Sequence, residues 1–206
     1  MEITVRKQLC RSVAGTCVVC FAVIVNPIQS WGASTGNNGE RGAALIRQMI
    51  GTWNVQEWMW PGPDAKSIAL PPAVAQRQPV GDDFLQEVMK TPTGSKEPFT
   101  RISYFGYNAV NQQYQYSSVD TRAPQMMNEQ STDTSDGASG PGPINLIGGT
   151  FVAPQWGSTK DGAYRYRIVV GPVQNNHQEV ELYLTPLAAA PKSEFLAFKY
   201  LYTRQH

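Results

Sequence analysis

Cysteine is confined to the start of this chain, at Cys10, Cys17 and Cys20. If that segment is removed on export, as argued below, the rest of the chain carries no thiol. A chain without thiols has no disulfide framework, no cysteine metal site and no cysteine nucleophile. Its stability must then come from an apolar core alone.

Histidine is almost as scarce, with only His177 and His206 in 206 residues. His177 lies in the polar turn sequence QNNHQ, and neither residue has the spacing of a metal site or a catalytic triad. No glycine-rich loop follows a strand and opens a helix, so a nucleotide-binding motif is also missing. We therefore expect no metal, no cofactor and no enzymatic activity.

Neither sign of charge is in excess. Beyond residue 32 the chain has 14 basic and 15 acidic side chains, and the basic ones form no cluster. Proteins that bind nucleic acid or anionic lipid surfaces usually show a basic patch. The charge pattern therefore argues against both as the main partner.

Residues 1–32 have the order of a secretory signal peptide. Arg6, Lys7 and Arg11 precede the apolar run SVAGTCVVCFAVIV, and small residues follow at Ser30 and Gly32. An uncleaved membrane anchor is the alternative, but a spanning helix needs about 20 apolar residues and this run is shorter. We predict cleavage after Gly32, no membrane span thereafter, and a periplasmic or secreted protein.

The segment after the signal is predicted to hold a loose tail and then one short helix. Residues 33–40 are small and polar, which is typical of a flexible tail. Leu45 with Met49, and Ile46 with Ile50, have the i,i+4 spacing of a helix that Gly51 would end. Residues 41–206 are predicted to form a single domain.

From residue 52 onwards the pattern is one of strands. Apolar and polar residues alternate in short runs, and turn residues recur at roughly 8- to 12-residue spacing, as in an all-β sandwich or barrel. The short connections favour neighbouring antiparallel strands, and a closed sheet leaves no exposed edges. We predict one antiparallel up-and-down barrel of about ten strands, with the short helix before it.

Three short motifs resemble known families. Gly51-Thr52-Trp53 opens the first strand and Tyr202-Thr203-Arg204 closes the last, a pattern similar to that of the lipocalins and wider calycins. With YFGYN at 104–108 and Asp120 between them, the chain from 46 to 204 resembles the bacterial domain of unknown function 1579 family. Asn108 stands where that family usually has aspartate, and Ser117 and Ser118 stand where it often has an aromatic residue.

The resemblance implies a calycin-like barrel and one structural contact, but it supplies no activity. It implies that the indole of Trp53 closes one end of the barrel beneath the guanidinium of Arg204. Such a cation–π contact contributes about 0.5–2 kcal/mol. It would also join the first and last strands, which are neighbours in a closed meander.

Glu57 is the first candidate site residue. It shares a strand face with Trp53, so if the indole points inward the carboxylate does too. A buried glutamate is unfavourable unless it is paired, and it can be a ligand anchor or an acid of raised pKa. The structural alternative is that Glu57 lies near the open end of the strand, where it is either hydrated or paired with Arg101 or Arg165. A hydrolase or isomerase that uses Glu57 is the least favoured hypothesis.

Tyrosines and arginines on the strands are the other candidates. Tyr104, Tyr116 and Tyr166, together with Arg101, could line a lumen that binds an amphipathic or anionic molecule. In the other register the same tyrosines face outward or simply pack. The sequence YRYR at 164–167 places tyrosines on one face and arginines on the other.

These patterns lead to two main functional hypotheses. The first is an exported, non-enzymatic binding protein whose barrel holds a hydrophobic or amphipathic molecule, such as a lipid or fatty acid. The second is a cell-envelope interaction module or inhibitor with a packed barrel, in which Trp58 and Trp60 form an exposed apolar patch. The sequence predicts no oligomeric state.

Overall fold

The computed structural model describes residues 37–123, 125–131, 142–152, 162–187 and 193–206. The predicted signal peptide, 1–32, and its cleavage site lie outside the described residues. Within these ranges, no helix is long and apolar enough to cross a bilayer. Export and signal cleavage stay predictions.

The chain begins its described part with one helix, α1 (Asn37–Met49). Residues 37–40, which we predicted as part of a loose tail, belong to this helix. Ile46 and Met49 lie on its buried face and belong to the same hydrophobic cluster as Leu85 and Phe105. Ile46 and Met49 of the predicted stripe therefore lie on the face that covers one end of the barrel, which we call the helix end. Ile50, which was predicted to belong to the stripe, follows the last helical residue.

Eleven strands follow in the described residues, and all pair antiparallel. They are β1 (Gly51–Met59), β2 (Ile68–Ala69), β3 (Ala73–Val80), β4 (Phe84–Lys90), β5 (Thr100–Asn108), β6 (Gln113–Asp120), β7 (Met126–Ser131), β8 (Ile144–Val152), β9 (Ala163–Val170), β10 (His177–Pro186) and β11 (Phe195–Arg204). Each pairs with its neighbour in the chain, except that β3 passes β2 to pair with β1.

The sheet closes on itself through β1 and β11. Their register runs from Trp53 opposite Arg204 to Met59 opposite Phe198. Ten strands therefore form the ring, and β2 lies beside β1 at Trp58 and Met59 as an extra strand. The predicted closed, up-and-down, all-β barrel is confirmed.

Asn108, the last residue of the YFGYN motif, stands at the end of β5, where the hairpin loop to β6 begins. The Asn108 side-chain oxygen accepts hydrogen bonds from the backbone amides of Val110 and Asn111, at 3.0 and 3.1 Å. An aspartate would offer the same acceptor, which explains why asparagine can replace it in this turn.

Trp53 closes the helix end in the predicted way. The Arg204 guanidinium carbon lies 4.2 Å from the centroid of the indole, which is fully buried. The indole N–H donates to the Met49 carbonyl at 2.9 Å, and Arg204 donates to the carbonyls of Gln48 and Ile50. The last strand thus satisfies carbonyls that the end of α1 leaves free.

Gly51 permits the sharp entry from helix to strand. Its φ of +134° lies in a region that side chains disfavour, and a Cβ there would come within 2.7 Å of the Arg204 guanidinium. The glycine of the Gly-Thr-Trp motif is therefore required by the backbone and by the approach of the arginine.

Candidate functional site

The barrel encloses a cavity of about 490 Å³. It begins at Met49 beneath α1 and extends to Phe99 and Leu70 at the opposite end. A volume in this range is that of a pocket for a drug-sized molecule. The lumen is therefore hollow enough to hold a small ligand.

The two sides of the cavity differ in chemistry. β4 and β5 contribute Glu87, Arg101 and Ser103 to its lining. β9 and β10 lie on the other side of the ten-strand ring, five strands away, and contribute the aliphatic residues Ile168, Val170, Val180 and Leu182. We call the first side the polar wall, although Leu85 and Phe105 lie beside its charged and polar groups, and the facing wall is aliphatic.

A buried carboxylate with two arginines forms the centre of the polar wall. Glu87 accepts from Arg77 Nε at 2.7 Å and from Arg101 Nη2 at 2.9 Å. Arg101 Nη2 also donates to the Tyr202 hydroxyl at 2.8 Å, and Arg77 donates to the side-chain oxygen of Gln178. We call Arg77, Glu87, Arg101 and Tyr202 the Glu87 cluster.

The Glu87 cluster carries a surplus positive charge. Burial alone would raise the pKa of Glu87, but the two guanidinium groups hold it below its ordinary value. The carboxylate is therefore ionised, and it balances only one of its two arginines. A surplus charge in a low-dielectric interior favours an anion nearby. The surplus is local to the cluster, because Asp120, which is opposite Arg101 in the β5–β6 register and lines the same cavity, shares the single Arg122 with Glu57.

Arg101 also has a hydrogen-bond donor to spare. It is 8% exposed, and its Nε is buried without a hydrogen-bond partner in the described part of the chain. A buried donor left unpaired is unfavourable by about 1–3 kcal/mol. Since Arg101 lines the cavity, an acceptor group of a ligand could satisfy it.

Glu57 is buried, as its strand face predicted, but it is not among the described residues that line the cavity. Its partner is Arg122, whose Nη1 lies 2.9 Å from a carboxylate oxygen; pairing with Arg101 or Arg165 was wrong. Arg122 also pairs with Asp120 at 2.8 Å and lies 3.7 Å from the centroid of Phe99. The loop after β6 brings this arginine back over the lumen, a return that strand alternation does not reveal.

Two of the three candidate tyrosines do not line the cavity. Tyr116 lines it, with Arg101. Tyr104 is 46% exposed on the outer face of β5, where its hydroxyl accepts from Gln86 at 2.8 Å. Ser103 and Phe105 point into the barrel, so Tyr104, which lies between them in the strand, points outward. Its predicted lumenal role is therefore wrong.

The Tyr166 side chain points inward, but it packs within the wall of the barrel and does not line the cavity. β7 pairs with β8 only from Glu129 to Ser131, so the two strands separate at Asn128. The Tyr166 ring lies against Gly148, where a Cβ would come within 2.0 Å of it, and its hydroxyl accepts from the Asn128 amide at 3.2 Å. Tyr166 thus bridges the point where the backbone ladder stops.

The arginines that alternate with Tyr164 and Tyr166 lie outside the barrel. Arg165 is exposed, and Arg167 pairs with Glu194 on the outer surface at 2.7 Å. Both tyrosines are buried. The predicted separation of tyrosines and arginines on the two faces of this strand is therefore confirmed.

Glu129 is a third buried carboxyl, on the inward face of β7. Neither of its oxygens has a hydrogen-bond partner among the described residues. Burial raises its pKa to about 8, although the charge of Arg101 acts in the opposite direction. Glu129 therefore holds a proton at neutral pH, unlike Glu87.

This difference predicts a pH-dependent stability. Between the ordinary pKa of 4.5 and about 8, the unfolded chain releases the Glu129 proton and the folded chain keeps it. Stability is therefore lost as the pH rises through this range, by up to about 1.4 kcal/mol per pH unit.

Glu129→Gln should gain stability relative to the wild type between pH 5 and 9 in urea titrations. Glu179→Gln, on the exposed surface, is the control; parallel curves for all three proteins would contradict the prediction.

Sequence reasoning missed Arg77, Glu87 and Gln178. A signal existed, because Ala73, Ala75 and Arg77 share one strand face, as do Leu85, Glu87 and Met89. When each of two adjacent strands carries a charged residue on its inward face, a buried ion pair is indicated. The pairing itself requires the register of β3 and β4, which the sequence does not supply.

The histidines lie where the sequence placed them. His177 is exposed next to a tight turn, in which Asn175 and Asn176 have positive φ values, and His206 is exposed too. Across the described ranges, no three histidine, cysteine, aspartate or glutamate side chains converge as metal ligands.

Comparison with known proteins gives a family. Residues 41–200 match the family model described as protein of unknown function (DUF1579). No curated protein matches the chain. Because the matched region includes the whole barrel except the last residues of β11, the chain belongs to the DUF1579 family.

Proposed function

We propose that this protein is an exported, non-enzymatic binding protein whose barrel holds an amphipathic small molecule with an anionic head, such as a fatty acid. The observation that carries the proposal is the cavity of about 490 Å³ with an aliphatic wall facing a polar one. Export is supported by the signal-like pattern of residues 1–32.

The aliphatic wall suits the apolar part of the ligand. Transfer of apolar surface from water contributes about 25 cal/mol for each Å² buried. Ile168 and Leu182 face the lumen among other aliphatic side chains. An acyl chain laid against them would remove apolar surface of both partners from water.

The Glu87 cluster suits the head of the ligand. Its surplus positive charge attracts an anion, and Arg101 Nε offers a buried donor. A carboxylate or phosphate can accept this hydrogen bond, and charged hydrogen bonds contribute about 1.5–3 kcal/mol. We therefore assign the head to Arg101, with Tyr116 beside it in the lining.

The cavity also bears on the alternative function. An interaction module with a packed barrel would fill its lumen with side chains, and would expose Trp58 and Trp60. Both tryptophans are partly buried. The hollow lumen therefore favours the small-molecule proposal over the packed module.

A pair of probes tests this proposal. A fluorescent fatty acid with a free carboxylate should bind more tightly than its methyl ester, which lacks the anion. Arg101→Met should weaken binding of the acid by about 10- to 100-fold and leave the ester unchanged. Arg165→Met, the same change on the outer surface, should alter neither.

The arginine variant is expected to remain folded, since Glu87 keeps Arg77 as a partner. Circular dichroism and the denaturation midpoint would establish this before binding is measured. Equal affinities for acid and ester, or no saturable binding of either probe, would refute the assignment of an anionic head in the lumen.

A further inference from the structure

The outer face of β4 to β8 carries a second cavity, a groove of about 590 Å³. Outward-facing residues of adjacent strands form two parallel rows along it. The first row is Gln86, Tyr104, Ser117 and Asn128, and the second is Phe84, Gly106, Gln115, Gln130 and Ile147. We call these nine positions the outer groove.

None of the nine positions carries a charged side chain, but the carboxyl of Glu129, which points inward from β7, also lines this cavity, as do Tyr116 and Gly149. The outer surface on the other side of the barrel is different, since Arg165, Arg167, Glu179 and Lys199 all lie there. A charged ligand would find no counter-charge in the two rows. The groove therefore suits a neutral ligand.

Two aromatic rings remain accessible in the groove at fixed positions. Phe84, 39% exposed, lies against Gly106, where a Cβ would come within 1.9 Å of the ring. Tyr104, 46% exposed, is held through its hydroxyl by Gln86. Ordered rings that stay partly exposed can stack against a flat, weakly apolar face of a ligand.

Amides surround the two rings. Gln115 and Gln130 are cross-strand partners beside Phe84, and neither side chain makes a hydrogen bond within the described residues. Each amide offers two donors and an acceptor. Adjacent hydroxyl groups, each a donor and an acceptor, are the matching chemistry.

From these observations we propose that the outer groove is a binding site for a neutral saccharide, separate from the lumen. A pyranose ring has one face of C–H bonds, which would stack on Phe84 and Tyr104. Its hydroxyls would exchange hydrogen bonds with Gln115, Gln130 and Asn128. This proposal does not depend on the lumenal ligand.

Titration of the isotope-labelled full chain with cellotetraose, a neutral β-linked glucose oligomer, tests the proposal by NMR. Saturable shifts are expected for the side-chain amides of Gln115 and Gln130. Tyr104→Ala should weaken binding by about fivefold. Arg101→Met, within the lumen, should leave the affinity unchanged.

A matched pair of glycine variants tests the ring platform without removing an aromatic residue. Gly106→Ala should displace Phe84 and weaken binding, whereas Gly142→Ala, outside the lining of the groove and with no atom near the added Cβ, should not. If Gly106→Ala does not fold, Tyr104→Ala alone tests whether the rings bind the saccharide.

Two outcomes would overturn the saccharide site. One is the absence of saturable shifts at millimolar cellotetraose. The other is that Tyr104→Ala binds cellotetraose as tightly as the wild type but sediments as a smaller species than the wild type. That result would mean that the groove is a contact between two copies of the chain.

Discussion

Replacing Trp53 with alanine is expected to lower the free energy of unfolding by about 3–5 kcal/mol, the range for deletion of a large buried aromatic side chain. The indole is fully buried and contacts Arg204, with Arg77 also 5.4 Å from its centroid. Its N–H is bonded to Met49. The substitution therefore removes core packing and the contacts that join α1, β1 and β11.

Trp58→Ala is the matched control for this experiment. Trp58 is in the same strand, points to the other face and is only partly buried. Its replacement should reduce stability by clearly less than that of Trp53, as measured by urea denaturation. Equal losses for the two tryptophans would mean that the indole at 53 has no special part in closing the barrel.

Replacing Glu87 with glutamine is expected to destabilise the fold by about 3–5 kcal/mol, because it leaves buried charges uncompensated. Arg77 and Arg101 would both lose their carboxylate in an interior where Glu87 is 3% exposed. Glu179→Gln, which breaks an exposed pair with Lys199, should change stability by less than about 1 kcal/mol.

The pH dependence of the free energy of unfolding provides a second test of the same variant. The pKa of Glu87 is lowered in the folded state, so its stabilisation is present above the ordinary value of 4.5 and is lost as the pH falls through the lowered value. The stability difference between wild type and Glu87→Gln should therefore shrink in acid. A difference that stays constant from pH 7 to pH 3 would show that Glu87 is not an ionised partner of the arginines.

The fold was predictable because it depends on local patterns. The alternation in 51–60, the i,i+4 stripe ending at Met49 and the turn at Asn108 each act over a few residues. The start of α1 was missed, because the small polar residues at 37–40 carry no apolar stripe. Closure followed from the short connections and from the resemblance that placed Trp53 with Arg204.

The candidate site was only partly predictable, since its contacts join residues far apart in the chain. Glu57 was placed inside the barrel by its strand face, but its partner, Arg122, comes from a loop 65 residues away. Tyr104 and Tyr116 look alike in sequence, and only the register of β5 and β6 separates outside from inside. Tyr166 bridges a gap between strands that no strand pattern reveals.

Native mass spectrometry of the protein purified gently from the cells that produce it tests the central proposal most directly. We predict a species heavier than the polypeptide by the mass of one amphipathic molecule, which Arg101→Met loses and Arg165→Met keeps. A bare polypeptide in all three samples, with no displaceable binding of the fluorescent fatty acid, would contradict a ligand-holding barrel.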